Sequence, residues 1–95
     1  MEHTMQDNNL LINNRKVYVD VLEERDRNGR IFPRSFVWED GRRYEIDRVL
    51  EICRAASLVA GGAGMRYTVK IGNHERYMFL EDDTPSRWFI PRSDA

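Results

Sequence analysis

Ninety-five residues with a formal net charge of −1 make one domain and leave no material for a second core. No run approaches the roughly 18 apolar residues of a membrane-spanning helix, and the start lacks a signal-peptide pattern, so a cytoplasmic protein is expected. The near-neutral balance is far from that of a strongly basic nucleic-acid binder, and the single cysteine, Cys53, permits no internal disulfide and no multi-cysteine metal site.

Met1 to Asn14 is polar and rich in Asn, and reads as a flexible N-terminal tail. A single β domain is expected over 15–92, followed by a short tail at 93–95. From Arg15 onward the apolar period is two, the signature of half-buried strands. Val17, Val19 and Val21 alternate with Lys16, Tyr18 and Asp20 in a first strand. The charged segment Glu23 to Arg30 follows, with Asn28-Gly29 as a turn pair. Phe32, Phe36 and Trp38 share one parity in a second strand, whose first part Pro33 assigns to a sheet edge.

Asp40-Gly41 predicts a tight hairpin, of type I′ by the twist it must match. A third strand then carries Tyr44, Ile46, Leu50 and Ile52 on one parity. Residues 49–60 read in two ways. Strand to about Ile52 followed by an irregular loop is favoured, but Val49, Ile52, Cys53, Ala56, Val59 and Ala60 also fit a helical stripe. Met65, Tyr67, Val69 and Ile71 resume the alternation, Gly72-Asn73 turns the chain, and Tyr77 to Glu81 returns it. Trp88 and Ile90 share one face of a short last strand and Phe89 takes the other. The sum is an all-β fold: a small antiparallel sheet of five or six strands, curled or closed as an SH3-like barrel.

Catalysis needs convergent groups, and the residues point to a protein that is not an enzyme and uses no cofactor. His3 and His74 are placed in a tail and a turn, and no serine has a histidine beside it in sequence. Glu81-Asp82-Asp83 lacks the ligand spacing of a calcium loop. One candidate ligand or partner loop stands out. Gly61, Gly62 and Gly64 free the backbone for an anion-binding nest, with Arg54, Ser57 and Arg66 around it. A second candidate is a nucleic-acid face. Thirteen of the fifteen basic residues are arginine, a side chain that stacks on rings and forks onto phosphates. Tyr18 and Phe89, on the parity opposite the core, would offer rings beside Arg42 and Arg43.

The stretch Phe36-Val-Trp-Glu-Asp-Gly-Arg-Arg-Tyr-Glu-Ile-Asp-Arg-Val49, with Arg66-Tyr67-Thr-Val69 and Arg87-Trp88-Phe89, carries a resemblance. It resembles short stand-alone bacterial proteins of uncharacterised function, and is similar to the small β domain appended to the C-terminus of DNA-polymerase-like repair proteins. These are strand and turn motifs, so the resemblance implies a fold and brings no catalytic residues. The expected function is therefore a binding or adaptor module that contacts another protein, with a homodimer through a sheet edge as one form. Single-stranded nucleic-acid binding is the alternative.

Overall fold

The computed structural model describes residues 16–58, 62–82 and 85–92, with backbone alone for 56–58 and 62. The tails read at 1–14 and 93–95 lie outside the described residues. Among the described residues, seven strands form one antiparallel sheet curled into a half-barrel: β1 (Lys16–Arg25), β2 (Ile31–Val37), β3 (Arg43–Glu45), β4 (Arg48–Leu58), β5 (Gly62–Ile71), β6 (His74–Glu81) and β7 (Trp88–Pro91). Their order across the sheet is β3-β2-β1-β7-β6-β5-β4.

The all-β expectation holds, but the count is seven where five or six were expected. The third predicted strand is divided at Ile46-Asp47 into β3 and β4, and β4 runs on to Leu58 in place of a loop or helix. The ladder to β5 explains this. From Arg48↔Lys70 to Leu58↔Gly62 the segment finds backbone partners in β5, which override its helical periodicity. Gly62 and Gly64, expected in a flexible loop, are thus strand residues, while Gly61 lies outside the described residues.

Two hairpins share one construction. In the turn after β1, Asp26 N donates to Arg30 O and Gly29 N donates to Asp26 O, with Gly29 at φ 85°. After β2, Trp38 N donates to Arg42 O and Gly41 N to Trp38 O, with Gly41 at φ 86°. Each is a three-residue loop with one left-handed glycine, the type I turn plus bulge. The hairpin expected at Asp40-Gly41 is therefore present, with a loop one residue longer than a type I′ turn. The aspartates at 26 and 40 tie the loops further, accepting from Asn28 N and Arg30 N in one and from Arg42 N in the other.

The chain does not reverse between β3 and β4. Six successive antiparallel pairings leave the two strands running the same way, so residues 43–58 form one long extended segment bent at a two-residue corner. Hydrogen bonding changes sides there: Ile46 N donates to Arg34 O of β2, and Asp47 N donates to Lys70 O of β5. The bend brings the two ends of the curled sheet together at one point. The core fills the concave face, where Phe36, Ile46, Tyr67, Val69, Met78, Leu80, Trp88 and Ile90 pack as one cluster. Burying each large side chain of this set contributes about 1.5–3 kcal/mol. A bulge between Leu22 and Glu23, opposite Arg34, breaks the parity of β2. Phe32 consequently pairs with Glu24 and lies beneath the Arg34 guanidinium, outside the cluster that holds Phe36.

Candidate functional site

Beyond the Ile46-Asp47 corner, the start of β2 and the length of β4 separate. Between them opens a slot of about 590 Å³. Its floor is apolar, built from Ile52 of β4, Met65 and Tyr67 of β5 and Leu80 of β6. Ile31 and Phe32 form one wall and Val49 and Leu50 the other. A register shift between Val49 and Glu51 leaves Leu50 without a partner across the ladder, and its side chain is exposed at the rim. Among the described residues no strand pairs with the outer edge of β4, so its row of N–H and C=O groups faces the slot or solvent. The Tyr67 hydroxyl crosses the floor and donates to Ile31 O at 2.7 Å. Burial, reinforced by the Glu23 carboxylate, pushes that phenol's pKa above its usual 10.0.

The two arginines expected around a glycine loop, Arg54 and Arg66, do not converge. Arg54 pairs across the ladder with Met65, on the concave side, whereas Arg66 pairs with Cys53 and Phe79 on the convex side. The two guanidiniums face opposite surfaces. Arg54 Nη2 donates to Asp82 at 2.6 Å and Nη1 to the Met65 sulfur at 3.4 Å. Arg66 lies over the Tyr77 ring at 4.6 Å and 3.9 Å from Glu51. Ser57 is in β4. Gly64 has a structural reason: a Cβ there would stand 2.1 Å from the Leu80 carbonyl oxygen. Close backbone approach between β5 and β6 requires glycine at that position.

The residues expected to form a nucleic-acid face divide likewise. Tyr18 is exposed on the convex side, with Arg87 over its ring at 4.1 Å. Phe89, expected on the surface, is fully buried. Its strand, β7, lies between β1 and β6, and neighbours on both sides cover the ring. Phe79 stacks on it at 5.0 Å, Tyr18 meets it edge-on at 5.8 Å, and Lys16 Nζ lies over it at 4.9 Å. Arg42 and Arg43 belong to the β2–β3 hairpin, where Arg43 donates to the Ser35 hydroxyl at 2.8 Å. Between these groups lies a cluster that the sequence reading missed. Glu81, nearly fully buried, accepts from Lys16 Nζ at 3.1 Å, from the Tyr18 hydroxyl at 3.0 Å and from Arg87 at 3.4 Å.

The slot was also missed, because its walls come from segments about twenty residues apart in sequence and its floor from later strands. The apolar alternation from Tyr44 to Ile52, interrupted at Arg48, was its trace in the sequence. Among the described residues, no three His, Cys, Asp or Glu side chains lie close enough together to hold a metal ion. Searches of family models, curated proteins and solved structures found no match to the chain.

Proposed function

We propose that the chain is a non-enzymatic binding module that takes an extended segment of another polypeptide by strand addition along the free edge of β4. The observation that carries the reading is the parting of β2 and β4 beyond the corner, which leaves an edge unpaired among the described residues above an apolar floor. Main-chain groups on such an edge supply affinity, and alternate side chains of the added strand supply selectivity. The lining favours a segment with apolar residues at every second position, facing Ile52, Met65, Tyr67 and Leu80.

The test is selection of decapeptide ligands from a random display library, followed by amide hydrogen exchange of each complex. Strand addition predicts slowed exchange for β4 amides between Val49 and Ala55. Ligands that leave that edge unchanged, or no ligands at all, would sink the reading. A second copy of the chain on the edge would appear as the same protection developing with protein concentration alone.

A second reading rests on a separate observation. Tyr18 and Tyr77 are exposed on the convex side and each carries a guanidinium, from Arg87 and Arg66. Single-stranded nucleic acid would stack bases beside such ring and cation pairs. Fluorescence anisotropy with labelled oligonucleotides tests it, since the affinity must fall as salt rises. Absence of binding at low salt removes it.

A further inference from the structure

The mouth of the half-barrel at the far end of the concave face from the slot holds a second recess, of about 230 Å³. Phe36, Trp38 and Tyr44 form an aromatic wall, and Ile71 and Ile90 close it below. The rings hold one another in place, with Tyr44 stacked on Phe36 at 5.6 Å and Trp38 edge-on to Phe36 at 6.4 Å. His74 and Arg76 stand on the rim.

Arg76 is out of keeping with its register. It pairs with Val69, as His74 pairs with Ile71, so both sit on the concave parity of β6 that Met78 and Leu80 continue into the core. Among the described residues no carboxylate forms an ion pair with Arg76. Three acids near this end are engaged elsewhere: Glu39 with Arg92, Asp40 with Arg42 N and the Tyr44 hydroxyl, and Asp47 with Gly72 N. Glu75 follows the opposite parity of β6 and pairs across the ladder with Lys70. An aromatic recess thus ends in a cation that, among the described residues, has no ion-pair partner.

We propose that this recess receives the C-terminal residue of a polypeptide, with its apolar side chain among Phe36, Trp38 and Tyr44 and its α-carboxylate on Arg76. His74 supplies a further donor. Charge complementarity selects the carboxylate, because a guanidinium forks onto it with two parallel hydrogen bonds. The open mouth gives a chain terminus a path out of the recess. Small-molecule pockets run about 300–1,000 Å³, and this recess is smaller, so it holds one side chain while the preceding residues leave through the open mouth. The site is distinct from the β4 edge and does not depend on strand addition there.

Trp38 provides the readout. The probe is the peptide acetyl-Gly-Gly-Gly-Phe with a free carboxyl group, titrated into the full chain and followed by tryptophan fluorescence. Saturable quenching is expected, weaker by about tenfold for the same peptide with a C-terminal amide and for Arg76→Gln with the acid, since the charge-assisted pairing is lost. Arg42→Gln should match the wild-type chain. The acid and amide comparison needs no variant, so it stands even if Arg76→Gln misfolds. Equal binding of acid and amide, or no quenching by the acid, overturns the proposal. N-acetylphenylalanine binding as tightly as the peptide overturns the assignment to a chain terminus. Unchanged hydrogen exchange along β4 during the titration separates this site from the slot.

Discussion

Tyr67 of β5 donates its hydroxyl hydrogen to the carbonyl of Ile31 in β2, at 2.7 Å, although three strands lie between β5 and β2 in the sheet. The bond spans the slot floor, where the sheet's own ladder does not reach, and fixes how far the β1–β2 hairpin stands from β4. Tyr67→Phe should lower stability by about 1 kcal/mol, the net worth of one such bond. It should also widen the slot, raising the exchange rate of amides around Ile31. Urea denaturation and hydrogen exchange read the two effects, and unchanged values for both would show that the bond does not restrain the hairpin.

The same phenol makes alkaline stability a measurable property. Its folded pKa lies above 10.0 through burial first and Glu23 second. The folded chain therefore keeps a proton that the unfolded chain releases. This contribution is complete below the unfolded pKa and is lost as pH rises through the folded one. Denaturation midpoints measured between about pH 9 and pH 11 should fall less steeply for Tyr67→Phe than for the wild-type chain. Parallel curves would contradict the burial argument.

Gly64→Ala should be among the most damaging single-atom additions in the chain. The new methyl group would meet the Leu80 carbonyl oxygen at 2.1 Å, and neither neighbour is the free end of a side chain. The β5–β6 ladder must shift, at an expected cost of about 2–3 kcal/mol. A loss below about 0.5 kcal/mol would mean that the two backbones separate more easily than this packing implies.

Glu81→Gln keeps the shape of a buried side chain and removes its charge. Lys16, itself largely buried, would lose its counter-ion, whereas Arg87 is more than half exposed and is solvated without it. A loss of about 2–3 kcal/mol is expected, below the full figure for breaking a buried pair because water screens the Arg87 share. Chemical denaturation checks the value. A change within about 0.5 kcal/mol would remove Glu81 from the groups that hold β1, β6 and β7 together.

Arg54→Ala and Arg66→Ala should act independently. Their side chains leave opposite faces of the β4–β5 ladder and share no partner. A double-mutant cycle should return a coupling energy below about 0.5 kcal/mol. A larger coupling would restore the idea that the two arginines serve one site.

Much of the fold was legible in the sequence. The alternation at Val17, Val19 and Val21 and at Met65, Tyr67, Val69 and Ile71 marks β1 and β5, and these positions line the concave face. Asn28-Gly29 and Asp40-Gly41 marked where both turns fall, though not their three-residue length, because left-handed glycine is a local need that local residues satisfy. Strand parity also separated Phe89 from Trp88 and Ile90, although it gave no sign that the opposite face would be covered.

The sequence by itself determined the all-β class, the turns and the concave side of most strands, since each depends on residues a few positions apart. Tertiary structure decided the rest. Residues 49–58 became strand because β5 supplied backbone partners, and Phe89 became buried because β1 and β6 brought Lys16, Tyr18 and Phe79 around its ring. The opposed directions of Arg54 and Arg66, the Glu81 cluster and both recesses have the same origin. Each depends on which strands become neighbours when the sheet curls, and curling is settled by burial of the whole concave face rather than by any segment alone.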